Sequence, residues 1–180
     1  MTGGDSSNAD WASRLAGTDP RVFTFIDAWR AARRGKLVPF RQDFDPTVVP
    51  GLLGSVWLYR YEPELGDFVC RLAGEAIKAA WGGNLTGRTL REIIGEDDYA
   101  VVIERWRRIM AGPLIQYGAA AELGSDSQQR RVERLVMPLA SESGEIDHML
   151  GLSLYALSSP TLTRTILVPG TTVQIPCAEL

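Results

Sequence analysis

The side chains that could carry out chemistry are few in this chain of 180 residues. It has one histidine, His148, and two cysteines, Cys70 and Cys177. A metal site needs several converging ligands, and a nucleophilic enzyme needs a nucleophile beside a base. The spacing of residues in the sequence indicates neither arrangement, so no metal and no catalytic residue is predicted. A binding or signalling module is therefore a better hypothesis than an enzyme.

Each of these three side chains has an ordinary structural interpretation. Cys70 lies in the apolar segment 68–72, where a buried thiol behaves as a small hydrophobe. A disulfide between Cys70 and Cys177 is not expected in a reducing cytosol. We interpret His148, which begins a predicted strand, as a surface or hydrogen-bonded histidine rather than a ligand to haem or metal.

The composition predicts one cytoplasmic domain. Hydrophobic residues make up 45% of the chain, which suffices for a core at this length. A net charge of -3 gives no overall attraction to polyphosphate, and no basic patch stands out, so no nucleic-acid partner is predicted. No apolar run approaches the roughly 20 residues of a transmembrane helix, and residues 1–10 do not resemble a signal peptide. We therefore predict no membrane insertion.

An N-terminal helix is predicted between Asp19 and Gly35. Asp19 is a good helix cap, Pro20 suits the first helical position, and glycine favours a helix end. Apolar residues that include Phe25 and Trp29 recur at helical spacing between these signals. The helix therefore has one apolar face.

Further helices are predicted before and after the first pair of strands. A short helix fits 46–53, and several glycines interrupt a helical block over 74–95. The longest helix is predicted over Glu96–Ala111, because acidic residues open it, apolar residues recur on one face, and Gly112-Pro113 ends it.

Five strands are predicted from alternating polarity and flanking turn residues. Two precede the helical block and three follow the longest helix, an order that favours an antiparallel sheet because hairpins need only short turns. The predicted class is α+β, with a five-stranded antiparallel sheet, helices on one face and an added N-terminal helix. The predicted strands are 55–62, 67–73, 114–123, 130–140 and 146–157.

Four parts are predicted along the chain. Residues 1–18 form a flexible arm and 19–53 a helical extension, while 54–158 form the sheet domain. Residues 159–180 form a C-terminal extension whose apolar side chains favour docking, as an edge strand or on a partner, over disorder.

Four short motifs in the same order resemble one known family. They are PFRQDFDP at 39–46, FVCRLAG at 68–74, NLTGR at 84–88 and Gly112-Pro113. With them, residues 20–157 resemble the stand-alone bacterial PAS-domain family, formerly catalogued as a domain of unknown function. This resemblance implies a PAS-like sheet, and it agrees with the order of elements predicted from periodicity.

The resemblance also implies a sensory or regulatory role. PAS domains enclose a small pocket between sheet and helices, and they bind a ligand or dimerise to pass on a conformational signal. The chain lacks the Asn-Cys-Arg-Phe-Leu motif of flavin photosensors, since Cys70 is on a predicted strand and is followed by Arg71. It also lacks the helical histidine of haem sensors, so neither flavin nor haem is indicated and the cofactor is unknown.

The leading hypothesis is a non-enzymatic PAS domain that binds a small ligand, forms a homodimer, or does both, and signals to a partner protein. Arg71 stands out because a charge on a half-buried strand needs a carboxylate or a ligand. The other candidates follow from strand parity, and core packing is an open alternative for each of them. These pocket candidates are Trp57, Tyr59, Cys70, Leu72, Leu135, Met137, Leu152 and Leu154.

Two alternatives remain. One is a structural protein–protein interaction module without a ligand, in which Phe25 and Trp29 of the N-terminal helix pack against a second copy. The other is a small α+β enzyme that uses acids such as Glu75, Asp97 or Asp98. The two aspartates are better explained as helix-start residues.

Overall fold

The computed structural model describes residues 10–123, 129–157 and 172–180 of the chain. Within those ranges no helix combines the length and the apolar character needed to cross a membrane. The helices are α1 (Asp10–Ser13), α2 (Pro20–Ala32), α3 (Glu75–Trp81), α4 (Leu90–Ile94) and α5 (Glu96–Ala111). Short 3-10 helices cover Arg41–Asp43, Pro46–Val48, Pro50–Ser55 and Cys177–Glu179.

The sheet has six antiparallel strands rather than the five predicted. They are β1 (Val56–Glu62), β2 (Asp67–Ala73), β3 (Leu114–Leu123), β4 (Gln129–Ala140), β5 (Ile146–Leu157) and β6 (Val173–Pro176). Their order is β2-β1-β5-β4-β3-β6, so the predicted α+β class with an antiparallel sheet is confirmed. The sixth strand belongs to the predicted C-terminal extension and pairs with β3, Ile175 opposite Ile115. Residues 158–171 lie outside the described ranges.

Helix α2 begins where the capping signals predicted. The Asp19 carboxylate accepts a hydrogen bond from the backbone N–H of Arg21 at 2.9 Å, and Pro20 takes the first turn. The helix ends at Ala32, three residues before the predicted end, and Gly35 then adopts a positive φ of 83°. Its buried residues are Val22, Phe25, Ile26 and Trp29.

Both faces of the sheet are covered, and each carries its own core. We call the face that packs against α2 the outer face; it includes Val56 and Leu58. The inner face packs against α3, α4 and α5, and it includes Trp57 and Tyr59. Consecutive residues of β1 therefore pack in opposite cores, because successive side chains of a strand point to opposite faces.

The predicted dimer interface on α2 is wrong, because its apolar residues pack against the chain's own sheet. Phe25 and Trp29 are both 0% exposed. The Phe25 ring meets Phe44 edge to face at 5.7 Å, and Nε1 of Trp29 donates a hydrogen bond to the carbonyl of Pro138 at 2.9 Å. Burying each such side chain contributes about 1.5–3 kcal/mol, so the stripe stabilises the monomer fold.

Part of the predicted N-terminal arm also joins the outer core. Residues 1–9 lie outside the described ranges, but α1 begins at Asp10. Trp11 and Leu15 are buried with the α2 residues, and the guanidinium of Arg30 lies 5.4 Å from the Trp11 ring centroid.

Candidate ligand cavity

A cavity of about 660 Å³ lies between the inner face of the sheet and helices α3, α4 and α5. This volume is in the usual range for small-molecule sites. Its helical wall is largely apolar and includes Ile77, Trp81, Ile93, Ile94, Val102 and Trp106. Its sheet wall includes Trp57, Tyr59, Gly118, Val132, Val136 and Tyr155.

The size of inner-face residues explains why space remains on one side of the sheet. Gly118 and Ala120 of β3 add little bulk to the cavity wall. On β5, the backbone of Gly151 lies directly under the Trp57 indole, and a Cβ built there would overlap the ring. The Trp57 ring in turn stacks on Trp106, with centroids 5.4 Å apart and planes 14° from parallel.

A line of polar groups crosses the sheet wall. Ser153 is 1% exposed, and its hydroxyl accepts hydrogen bonds from Nε1 of Trp57 at 2.9 Å and Nε of Arg134 at 3.1 Å. The Tyr155 hydroxyl accepts from Nε1 of Trp81 at 3.0 Å and lies 3.5 Å from a terminal nitrogen of Arg134. The wall therefore combines aromatic surface with one oriented guanidinium.

Two of the predicted pocket residues line the cavity directly, namely Trp57 and Tyr59. Cys70 shares their face but is fully buried, and its thiol lies 3.5 Å from the Leu72 carbonyl. Burial raises the pKa of the Cys70 thiol and the pKa of the Tyr59 hydroxyl. Both groups are therefore neutral near pH 7, and the thiol is not an activated nucleophile.

The remaining predicted pocket residues lie on the outer face, so their assignment to the pocket is corrected. Leu135, Met137, Leu152 and Leu154 are in the core with α2, and Leu72 packs against it. The physical reason is register: Leu152 pairs with Val56 and Leu135, which are outer-face residues. Both faces of β4 and β5 bear apolar residues, so polarity alone did not distinguish them.

Arg71 is exposed and pairs with the Glu62 carboxylate rather than facing the cavity. A register shift between Leu58 and Tyr59 places Leu72 opposite Leu58 and Cys70 opposite Tyr59. Arg71 is therefore the extra residue of a β-bulge, which turns its side chain out of the regular alternation.

Sequence reasoning missed Arg134, Ser153 and Tyr155. Ser153 and Tyr155 alternate with the buried Leu152 and Leu154, which is a usable signal for a separate face. Arg134 directly follows Glu133, and strand alternation places the two side chains on opposite faces of the sheet. Glu133 points the other way, where it accepts hydrogen bonds from the Asp19 backbone N–H and the Tyr117 hydroxyl, both at 2.9 Å.

The acids weighed for catalysis do not converge. Asp98 lines the cavity, whereas Asp97 is exposed and Glu75 pairs with Lys78 at 2.8 Å on the surface. In the described residues, no group of three or more His, Cys, Asp or Glu side chains could hold a metal ion.

His148 lies on the outer face, away from the cavity. It is half-buried, and its Nδ1 lies 2.6 Å from a carboxylate oxygen of Asp147, which also pairs with Arg60 at 3.6 Å. Burial lowers the pKa of His148, and Arg60 and Arg41 act in the same direction, against the raising effect of Asp147.

This lowered pKa predicts a loss of stability in mild acid. The unfolded chain protonates His148 first as the pH falls below about 6.5, so the free energy of unfolding should decrease from there towards the folded-state pKa. His148→Gln should flatten that part of the curve, which denaturant titrations at several pH values would measure. Because the chain has no other histidine, an unchanged slope would contradict the assignment.

Comparison with known proteins bears on the class of the fold. Two strands, a helical block and three further strands border the cavity, which is the arrangement of a PAS-type domain. A family model described as PAS domain matches residues 10–154. The chain belongs to the PAS domain family, as predicted. Among curated proteins, none matches it.

Solved structures with a similar fold come from distant sequences. The PAS domain of a protein from Colwellia psychrerythraea is 10% identical, with 62% of this chain and 96% of that chain covered and a TM-score of 0.46. A Rhodobacter sphaeroides LOV protein is 12% identical, with 79% and 71% covered and a TM-score of 0.45. The family assignment rests on the family model.

Proposed function

We propose that this chain is a non-enzymatic sensory or regulatory PAS domain that binds a small ligand in the cavity and signals to a partner protein. The cavity carries the proposal, because a largely apolar site with a few converging polar groups is typical of ligand binding. Those groups are Arg134, Ser153 and Tyr155. The two buried free thiols, Cys70 and Cys177, agree with a cytoplasmic location.

The shared sheet offers a route for the signal. Val136 lines the cavity, while its neighbours Leu135 and Met137 pack in the core with α2. A ligand that favours one position of β4 would therefore bias the packing of α2 on the opposite face. Homodimerisation remains a prediction, and it requires a surface other than the buried stripe of α2.

Native and denaturing mass spectrometry of the purified protein tests ligand binding. We expect a stoichiometric small molecule that is lost on denaturation. Gly118→Leu should abolish this binding, because among the described residues a Cβ at Gly118 meets only Thr172, at 3.8 Å, and the larger side chain extends into the cavity. Ala121→Leu adds bulk to the opposite face of the same strand, so this variant should still retain the molecule.

Equal retention by Gly118→Leu would contradict the cavity as the site. A chain that retains no small molecule in its native mass spectrum would contradict ligand sensing. The interaction-module hypothesis would then be favoured, and sedimentation across a wide concentration range would show whether the partner is a second copy.

A further inference from the structure

We propose that the ligand of the cavity carries a flat, largely apolar aromatic ring system, and that the Trp81 side chain contacts this ring system. This inference rests on the proposed function and deepens it, because it names the chemical class that the same site takes. It is carried by aromatic side chains that reach the cavity from both of its walls and by the short side chains of the sheet wall.

Aromatic residues line the cavity on the sheet side and on the helix side. Trp57 of β1 and Tyr155 of β5 belong to the sheet wall, whereas Trp81 ends α3 and Trp106 lies on α5. The Trp106 ring stacks on Trp57, and Nε1 of Trp81 donates a hydrogen bond to the Tyr155 hydroxyl at 3.0 Å. Each pair therefore joins the helices to the sheet. A ring system placed beside either pair gains aromatic contacts, which are favourable beyond the area they bury.

The indole N–H groups of Trp57 and Trp81 are both occupied within the protein. Nε1 of Trp57 donates to the Ser153 hydroxyl at 2.9 Å, and Nε1 of Trp81 donates to Tyr155. These two side chains therefore offer a ligand ring surface rather than a hydrogen-bond donor. The same hydrogen bonds fix the two indoles before a ligand arrives, which lowers the entropic cost of binding.

Short side chains line the cavity where β3 pairs with β4. Gly118 and Ala120 lie on β3, and Ala120 is opposite Val132 of β4. Because these side chains project little from the sheet, a flat ring system can contact this surface across its whole face. A puckered saturated ring brings fewer atoms into contact, and dispersion attraction is lost once a small gap opens.

The charged residues at the cavity are compatible with such a ring system. Arg134 already donates to Ser153 at 3.1 Å and lies 3.5 Å from the Tyr155 hydroxyl. A guanidinium plane also stacks on aromatic faces, so Arg134 does not require a charged ligand. Asp98 and Arg105 line the cavity from α5 with opposite charges. The aromatic and apolar side chains of the wall therefore select the ligand.

Two uncharged probes with the same carbon skeleton test this inference. Isothermal titration would compare 2-naphthylmethanol with decahydro-2-naphthylmethanol, whose rings are saturated, on the full chain after any retained molecule has been dialysed away. We expect the wild-type protein to bind the aromatic alcohol roughly 3- to 10-fold more tightly, although the saturated alcohol is the more hydrophobic. In Trp81→Leu, binding of the aromatic alcohol should weaken by roughly 3- to 10-fold, while binding of the saturated alcohol changes little.

Two further variants separate the Trp81 ring from its hydrogen bond and from general effects on α3. Trp81→Phe keeps an aromatic ring but removes the donor to Tyr155, so it should retain most of the preference for the aromatic alcohol. Lys78→Gln removes the surface ion pair with Glu75 and should leave binding of both alcohols unchanged. Trp81 is half-buried, and thermal melts would establish that each variant is folded.

Equal binding of the two alcohols by the wild-type protein would overturn this inference, and so would an unchanged preference in Trp81→Leu. In either case the cavity would stand as a ligand site if Gly118→Leu abolished binding of both probes. Binding of neither probe, or a retained molecule without an aromatic ring, would also overturn the inference. An empty native mass spectrum is the separate result that would contradict the proposed function.

Discussion

Replacing Trp29 with alanine should lower the free energy of unfolding by about 3–5 kcal/mol while leaving the oligomeric state unchanged. The indole is 0% exposed and fills the space between α2 and the outer face of the sheet. Its removal creates a cavity and takes away the donor to the Pro138 carbonyl. The lost packing and the lost hydrogen bond both lie within one chain, so the oligomeric state should not change.

Urea denaturation followed by circular dichroism would measure the change, and sedimentation velocity would measure the mass. Thr24→Ala is the matched control, because Thr24 is exposed on the same helix. It should change stability by no more than about 0.5 kcal/mol, as is usual at surface sites. If Trp29→Ala converted a dimer into an equally stable monomer, the burial of α2 against its own sheet would be contradicted.

Gly151→Ala should destabilise the protein by about 2–4 kcal/mol and weaken binding in the cavity. The new Cβ overlaps the Trp57 indole, so that ring must move. Moving it breaks the stack on Trp106 and the hydrogen bond to Ser153. A single methyl group thus displaces one wall of the proposed ligand site.

Gly118→Ala serves as the control on the neighbouring part of the wall, since the described atom nearest to its Cβ is Thr172 Oγ1 at an ordinary 3.8 Å. A second comparison isolates the cause. In a Trp57→Leu background, Gly151→Ala should lower the free energy of unfolding by much less, because the overlapping ring is gone. The overlap would be refuted if Gly151→Ala lowered the free energy of unfolding equally with Trp57 present and in the Trp57→Leu background. It would also be refuted if that loss were no larger than the loss caused by Gly118→Ala.

Local signals predicted most elements well. Asp19 and Pro20 start α2, the acidic residues from Glu96 start α5, and Gly112 ends it. These signals depend on capping and on backbone preferences that act over a few residues. Strand alternation likewise predicted that Trp57 and Tyr59 of β1 share a face, as they do.

The cavity could be predicted only in part. Trp57 and Tyr59 were assigned to its wall, but Leu135, Met137, Leu152 and Leu154 belong to the outer core. Side chains alternate between the two faces of a strand, so the sequence shows which residues share a face. It does not show which helices cover that face. On a sheet that is apolar on both sides, hydrophobicity does not resolve that ambiguity.

The sequence by itself determined the class of the protein, its PAS-like order of elements and the start of each main helix, because these follow from short-range patterns. Only the tertiary structure decided that α2 covers the outer face, that β6 extends the sheet, and that Arg134 lies at the cavity. Those outcomes depend on pairing between segments far apart in the chain, such as β4 with β5 and β3 with β6. Long-range register sets which side chain meets which, and no local window contains it.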